Sequence, residues 1–423
     1  MFKKTALDSG LRVLTAPMQG TNTVTVLVMC ATGSDYEVKS ENGISHFLEH
    51  MFFKGTTNRP TPEHIRHELD GMGSISNAFT DHETTGYYIK AGKLHATKAL
   101  EILSDIYRNS LLTEEEIERE KQVVVEEMHL RRDEPTTHIW QLWERLLYGD
   151  QPAGCDISGE EAIVRQFRRE DLARYFTHQY VAGNTAVVVA GNMDEGAITA
   201  RIRELFSDIR HESPRVKPTL TEVQPSPQLS GEERKTDQTH CVIGFRGYDV
   251  FHAQRYAADL LAVVLGGSWS SRMFSRIREK LGLAYSVSSD HANYSNRGFL
   301  VTYAGVAHEN AERAARAILE EYRRIREELV PGGELTRTKD LLKGRMLMAL
   351  ETSNAVASFV GGEEMLTGKP LTIEEVFAKV DGVRAEDIQA VAREIVRPER
   401  LNAVLLGPAP HTPALESLIK SFS

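Results

Sequence analysis

The sequence predicts an α+β protein made of two similar α/β-sandwich domains. Three observations predict this fold class. Helix-like segments are mixed with strand pairs that are typical of antiparallel hairpins, as in 74–91. The same order of elements occurs twice, and a stretch rich in proline and polar residues, 211–238, separates the two copies. We therefore expect duplicated domains that are joined by a linker and face each other as half of a clamshell.

In the first copy, a strand that ends near Gly33 is followed by two helices, a strand pair and a longer helix. Apolar residues at helical or alternating spacing define these elements. The predicted ranges are helices 46–53 and 63–72, strands 74–80 and 84–91, and helix 95–109.

The second copy repeats this order. Its predicted ranges are strand 241–246, helices 254–265 and 272–281, strands 284–289 and 298–303, and a helix from 310. The last parts of the copies, 170–191 and 386–407, align without gaps at an offset of 216 positions, and each places a helix before an apolar strand that ends in glycine. The predicted boundaries are 1–210 for the N-terminal domain, 211–238 for the linker and 239–423 for the C-terminal domain.

The composition of the chain narrows the range of possible functions. The chain has 423 residues with 41% hydrophobic and 26% charged residues, which is typical of a globular protein. Its net charge of −10 disfavours a partner that is held through phosphates, so we expect no nucleic acid. The three cysteines form no CxxC pair, which argues against both a disulfide framework and a thiolate zinc site.

The N-terminal segment has no apolar core of a signal peptide. The longest apolar stretches, such as 24–31, are far shorter than the roughly 18 residues of a membrane helix. We therefore expect a cytoplasmic protein with no membrane partner.

One apolar segment contains two histidines and an acid. His46 and His50 are four positions apart, so on a helix they share a face and can both bind one metal ion, with Glu49 beside the second ligand. This is the HxxEH arrangement of inverted zinc peptidases. The alternative is that these are polar residues of a core helix, but burying them without partners is costly.

A catalytic zinc usually has a third protein ligand. The acidic segment 113–128 offers Glu120 and Glu127, which are two helical turns apart on one face, whereas Glu126 points roughly 100° away. The alternative for such a segment is a solvated helix face. The apolar centre 123–125 instead indicates that one side of this helix is buried.

Together these stretches resemble the pitrilysin, insulysin and mitochondrial processing peptidase family of zinc metallopeptidases, in the form of a short single-chain bacterial processing protease. The resemblance covers nearly the whole chain. The matching residues are Gly33-Ser34 with Glu37, His46–Met51, Phe53–Thr56, Asn77–Thr80 with Glu83, Thr85 and Tyr87, and Glu120 with Glu127.

The resemblance implies a role for each site residue. His46, His50 and Glu127 would bind one Zn²⁺ per chain, and Glu49 would activate the water that zinc binds. Glu127 lies 77 positions after His50 and precedes a methionine, as the family pattern requires. Glu120 would orient one of the ligands.

The C-terminal copy also matches the family. Arg278 and Tyr285, seven positions apart, correspond to an arginine and a tyrosine that reach the substrate backbone near the scissile bond. At the place of the zinc motif this copy has Arg255–Asp259, so we expect no metal site there and one active site per chain.

The implied activity is that of a zinc-dependent metalloendopeptidase that hydrolyses short or unfolded peptides in an enclosed chamber. An extended peptide would add to the strand that contains Asn77, Ala78 and Phe79. Because one chain carries both the zinc motif and the Arg/Tyr pair, a homodimer is the simplest assembly. The alternatives are a non-catalytic structural or assembly subunit, one half of a heterodimeric processing peptidase, and a metal-binding regulator without hydrolysis.

Overall fold

A computed structural model describes residues 2–423; residue 1 lies outside the described residues. The strands are β1 Lys3–Ala6, β2 Arg12–Pro17, β3 Thr23–Cys30, β4 Ile75–Thr80, β5 Thr85–Gly92, β6 Thr185–Gly191, β7 Gln228–Glu233, β8 Thr239–Arg246, β9 Ala284–Asn293, β10 Gly298–Val306 and β11 Leu401–Gly407. The α-helices are α1 Ile44–Met51, α2 Pro62–Gly71, α3 Ala96–Arg108, α4 Glu114–Asp133, α5 Pro135–Tyr148, α6 Glu161–Val164, α7 Arg169–Gln179, α8 Glu195–Leu205, α9 Arg255–Gly266, α10 Ala311–Glu327, α11 Gly332–Ala349, α12 Ser353–Thr367, α13 Ile373–Gly382, α14 Ala385–Ile395 and α15 Pro413–Lys420.

The chain divides into two compact units, and each is discontinuous. Unit 1 contains the chain up to His129, Cys155–Thr219 and Leu347–Thr372; unit 2 contains Leu130–Gly154, Leu220–Met346 and Ile373–Ser423. The sequence predicts contiguous domains instead, because nothing in a local pattern shows that a segment of one half belongs to the unit built mainly from the other.

Unit 1 is built on a six-stranded sheet in the order β1-β2-β6-β3-β5-β4. Strand β2 is parallel to β6, and the other neighbours are antiparallel. Alternate residues of β3 face opposite sides: Val24, Val26 and Val28 pack in one apolar cluster, and Leu27 and Met29 pack in another. The sheet therefore has two covered faces, and its central strands are apolar on both.

Different helices cover these two faces. The larger cluster contains residues of α1, α3, α7 and α8. The smaller cluster receives Val356, Ala357 and Val360 from α12. Gly361 of the same helix lies so close to the sheet that a Cβ there would sit 2.6 Å from the sulfur of Met29.

Unit 2 repeats this architecture on a five-stranded sheet in the order β7-β11-β8-β10-β9. Strand β7 is parallel to β11, and the other pairs are antiparallel. One face is covered by Ile139, Trp143 and Leu147 of α5. Helices α9, α10 and α14 pack with one another and with the sheet.

The duplication predicted from the sequence is confirmed. Helices α7 and α14 have the same length at an offset of 216 positions, and strands β6 and β11 have the same relation. Each of the two helices begins with the same contact, in which an aspartate accepts the backbone N–H of the N-cap arginine: Asp171 from Arg168 at 3.1 Å and Asp387 from Arg384 at 2.8 Å. The α+β fold class with two similar sandwich units is therefore correct.

Two local predictions need correction. The predicted linker 211–238 contains strand β7, which pairs in parallel with β11. The strand has little apolar alternation, and its ladder partner lies far along the chain, so no local pattern marks it. The predicted helix 272–281 is a π-helix over Phe274–Lys280, in which the Leu281 N–H donates to the Arg276 carbonyl at 3.0 Å.

Within residues 2–423, no helix is both long enough and apolar enough to cross a lipid bilayer.

Candidate active site

Helix α1 carries His46, Glu49 and His50, and its start is held by a buried carboxylate. Gly43 precedes the helix with φ of 94°, a left-handed conformation that favours glycine. The Glu37 carboxylate accepts the Gly43 N–H at 2.7 Å and the Ser45 N–H at 2.8 Å. Glu37 therefore satisfies donors that the helix itself leaves unpaired, although burial raises the pKa of this carboxyl group.

The two histidines converge with a carboxylate from α4. The Nε2 atoms of His46 and His50 are 3.3 Å apart. The Glu127 carboxylate lies 3.6 Å from His46 Nε2 and 3.4 Å from His50 Nε2. One ligand atom from each of the three residues lies within 4.8 Å of the other two.

This donor set fits zinc. Two imidazole nitrogens and one carboxylate are typical zinc ligands. Two Nε2 atoms 3.3 Å apart cannot both carry a proton without repulsion, so the arrangement requires either a shared proton or a cation between them. His46 is only 3% exposed, which makes pairing with bulk water a poor alternative.

Glu120 lies two helical turns before Glu127 on the same face of α4. It orients His50 by contacting the Nδ1 side of the ring. Its Oε1 accepts from His50 Nδ1 at 2.8 Å, and its Oε2 pairs with Lys54 Nζ at 2.5 Å. Burial raises the pKa of Glu120, but its hydrogen bonds with His50 and Lys54 outweigh this and hold the pKa below its ordinary value. With the proton on Nδ1, His50 directs the Nε2 lone pair toward His46 and Glu127.

The same carboxylates control the charge of His50 in the metal-free chain. Burial lowers the pKa of His50, but its hydrogen bonds with Glu120 and Glu127 raise the pKa by more than burial lowers it, so that it is about 9. His50 is therefore protonated at neutral pH until a cation displaces that proton.

Glu49 lies outside the three-ligand cluster. It is half-buried, and its Oε2 accepts a hydrogen bond from Thr80 Oγ1 at 2.7 Å. A partly exposed carboxylate held by a hydrogen bond is the kind of group that can act as a general base.

The predicted substrate residues Asn77, Ala78 and Phe79 lie on β4, the edge strand of the unit 1 sheet. The Asn77 side chain accepts the Ala78 N–H at 2.9 Å. Phe79 lies across its partner Gly86, where a Cβ would sit 2.3 Å from the ring. An edge strand with an unpaired side is the structure that an extended peptide can extend.

Arg278 and Tyr285 belong to unit 2. Arg278 is on the π-helix, and its guanidinium carbon lies 5.3 Å from the centre of the Tyr285 ring and 4.8 Å from that of Phe274. Tyr285, near the start of β9, is 75% exposed. Both side chains can therefore contact a ligand, and the π-helix is a conformation often found at functional sites.

Unit 2 has no second metal cluster of this kind. Among the described residues, only His46, His50 and Glu127 form a group of three or more candidate ligands. In α9, Asp259 accepts instead from His291 Nδ1 at 2.7 Å.

Three contacts of the site were not assigned from the sequence. Glu37 and Thr80 belong to the matching stretches but received no role, and Lys54 received none either. Lys54 lies beyond the end of α1 at Met51, so helical spacing does not place it near Glu120. No local signal indicates that Thr80 reaches Glu49, because a helix and a strand meet there.

Family models and known proteins match this chain. Residues 12–159 match the model described as insulinase, peptidase family M16, and residues 166–342 match the model described as the peptidase M16 inactive domain. An uncharacterised zinc protease of Rickettsia felis is 35% identical over 408 residues, which covers 96% of this chain and 97% of the relative. The uncharacterised zinc protease YmxG of Bacillus subtilis is 32% identical and covers 98% of this chain and 100% of that protein.

Solved structures share the fold. A protease from Helicobacter pylori superposes with a TM-score of 0.91 at 23% identity, over 96% of this chain and 99% of its own. The peptidase M16 inactive domain from Pseudomonas fluorescens superposes with a TM-score of 0.87 at 17% identity, over 96% of this chain and 98% of its own. Together with the full-length relatives, these matches confirm the resemblance that the motifs predict: the chain belongs to peptidase family M16, the insulinase family.

Proposed function

We propose that this protein is a zinc metalloendopeptidase that hydrolyses short or unfolded peptides. The observation that carries the proposal is the convergence of His46, His50 and Glu127 within 4.8 Å beside the half-buried Glu49. The full-length relatives named zinc proteases support the same chemistry.

His46, His50 and Glu127 would hold the metal. Zinc, when bound, supplies Lewis-acid polarisation of the scissile carbonyl and makes water more acidic. Glu49 accepts the proton of the attacking water and passes it to the leaving amine. Glu120 keeps the proton of His50 on Nδ1, so that Nε2 is a ligand.

The substrate would bind as an extended strand along β4, with backbone hydrogen bonds that need no particular sequence. Arg278 and Tyr285 would contact the substrate backbone, as the family resemblance implies. The enclosed chamber, the homodimer and the cytoplasmic location stay predictions from the sequence.

The test compares the wild-type chain with Glu49→Gln on a pool of quenched, unstructured peptides, after zinc content is measured for both. We expect cleavage by the wild type, and a loss of about 10²–10⁴-fold in Glu49→Gln at unchanged zinc content, which is the size of a general-base contribution. Glu126→Gln is the matched control, because Glu126 is exposed and bonds only to Gln122 among the described contacts.

Wild-type protein that binds zinc and cleaves no peptide in the pool would overturn the proposal. Cleavage that appears only when a second, related chain is added would instead indicate one half of a heterodimeric peptidase.

A further inference from the structure

We propose that Thr80 is a positioning residue for Glu49, and that Lys217 holds the turn on which Thr80 depends. The inference rests on the proposed function, since it assigns the role of Glu49 to a defined geometry. It concerns residues that the metal does not touch.

The direct contact is the hydrogen bond from Thr80 Oγ1 to Glu49 Oε2, at 2.7 Å. Glu49 is on the last turn of α1, and Thr80 is the last residue of β4. The carboxylate is half-buried, so its rotamer is not set by packing alone. A fixed donor on one oxygen selects one orientation and leaves the second oxygen to accept a proton.

Thr80 begins a turn that is clamped to the rest of unit 1. It pairs with Thr85 across the hairpin, and residues 81–84 form the turn between them. The His82 carbonyl accepts the Asp35 N–H at 2.9 Å, and His82 Nδ1 lies 2.8 Å from Ser34 Oγ.

Gly33 permits this close approach. A Cβ at Gly33 would sit 2.1 Å from the Asp81 carbonyl oxygen and 2.7 Å from that of His82. The turn is therefore seated directly on the backbone that follows β3, where any other residue would displace it.

Lys217 ties this turn to residues 211–219, the end of the second of the three segments that form unit 1. Its Nζ lies 2.7 Å from Asp35 Oδ2 and also contacts Glu83 Oε1. Asp35 is 2% exposed and Glu83 is 5% exposed. Two carboxylates at this depth need a cation, so the lysine holds the turn residue Glu83 and the underlying Asp35 together.

The contacts form one path from Lys217 through the turn to Thr80, and from Thr80 to Glu49. Loss of the lysine releases the turn, and loss of the threonine hydroxyl releases the carboxylate. Both changes leave His46, His50 and Glu127 in place.

The test uses Thr80→Val, which keeps the shape and removes the donor, with Thr80→Ser as the conservative variant. We expect kcat to fall about tenfold in Thr80→Val, at KM and zinc affinity within about twofold of the wild type, because misplacement of a catalytic group costs rate and not binding. Thr80→Ser should restore kcat. A crystal structure of Thr80→Val should show the Glu49 carboxylate turned away from its wild-type position.

Lys217→Met is expected to lower kcat by less than Thr80→Val, and Lys217→Arg to restore it. The double variant should have the kcat of Thr80→Val alone, because Lys217 acts through Thr80. Should Lys217→Met fail to fold, Glu83→Gln replaces it; wild-type kcat in whichever of these two variants folds would overturn the Lys217 step.

Wild-type kcat in Thr80→Val, with Glu49 in its original place, would overturn the inference. So would a fall in kcat that Thr80→Ser does not rescue, or one that accompanies loss of zinc, since either indicates a merely structural role. A wild-type protein that binds zinc and cleaves nothing refutes the proposed function instead, and the Glu49 orientation in the crystal structures still tests the contact.

Discussion

Helices α1 and α9, which hold corresponding places in the two sequence copies, differ at the positions that matter for chemistry. Helix α1 of unit 1 carries His46, Glu49 and His50, whereas the aligned positions of α9 in unit 2 carry Arg255, Ala258 and Asp259. Apart from the additional edge strand β1 of unit 1, the sheets behind these helices have the same strand order and the same parallel pair. The fold therefore does not need the histidines, and packing alone does not explain their presence in unit 1, whereas the proposed metal site does.

In unit 2, the acid at the position of His50 is Asp259, and it is paired with a residue of the same unit. Asp259 accepts from His291 Nδ1 at 2.7 Å, and His291 is on β9, the strand that corresponds to β4. In unit 1 the corresponding strand instead provides a hydroxyl to Glu49. In both units the strand thus bonds to a carboxylate of the helix, at Asp259 in unit 2 and at Glu49 in unit 1.

The largest expected difference between the units concerns metal content. His50→Ala removes one of three ligands, so zinc measured by elemental analysis should fall from one per chain to near zero, and peptide cleavage should be lost. Asp259→Ala, the matched change in unit 2, should keep both zinc and cleavage. Loss of zinc in Asp259→Ala would contradict the proposal that unit 1 alone holds the metal.

A smaller effect is expected at Glu120, because it contacts His50 and is not itself a metal ligand. Glu120→Gln should weaken zinc binding about 10–100-fold in a competition titration, the usual cost of losing a partner of a ligating histidine. Glu126→Gln on the same helix should bind zinc as the wild type does. Equal affinities for all three proteins would contradict the role of Glu120.

The charge of His50 predicts a pH dependence. Its pKa of about 9 means that zinc must displace a proton at pH 7.5. Zinc affinity should therefore rise about tenfold per pH unit up to about pH 9 and then level off. The metal-free fold has the opposite dependence: the stabilisation from the His50 ion pairs is complete below about pH 6.5 and is lost as pH rises through about 9.

Calorimetry in two buffers of different ionisation enthalpy checks this by counting the protons released at pH 7.5. We expect about one in the wild type and fewer in Glu120→Gln, where the pKa of His50 is less raised. Release of no proton by the wild type would contradict the assignment.

The smallest expected difference between the units concerns how much the starts of α1 and α9 contribute to the free energy of unfolding. Glu37 accepts backbone donors of α1, whereas Gln254 makes no side-chain cap at α9. Glu37→Gln should lower the free energy of unfolding by about 1–2 kcal/mol. Gln254→Ala should change it by less than about 0.5 kcal/mol. Denaturant unfolding of metal-free protein measures both, and equal values would contradict the capping role.

Local and repeated patterns were readable from the sequence. The spacing of His46 and His50 on one helix, and of Glu120 and Glu127 on another, follows from the helical period. The offset of 216 positions located the duplicated helix and strand pairs. The roles of the site residues stay predictions, although the structure brings the three candidate ligands together.

Features that depend on distant partners were not readable. The segment α5 precedes most of unit 2 along the chain, and α12 follows most of unit 1, yet Trp143 and Val360 pack on those units' sheets. Strand β7 needs β11, which lies more than 160 positions later, and Lys217 needs the turn at Glu83. Each is fixed by tertiary pairing, for which a single sequence carries no period.

The central claim is that one chain holds one zinc ion, in unit 1 and not in unit 2. Anomalous diffraction at the zinc absorption edge tests this directly on crystals of the full chain grown with zinc. We predict one peak per chain, about 2 Å from His46 Nε2, His50 Nε2 and a Glu127 oxygen. A peak at Asp259 and His291, or none at the three ligands, would contradict the account.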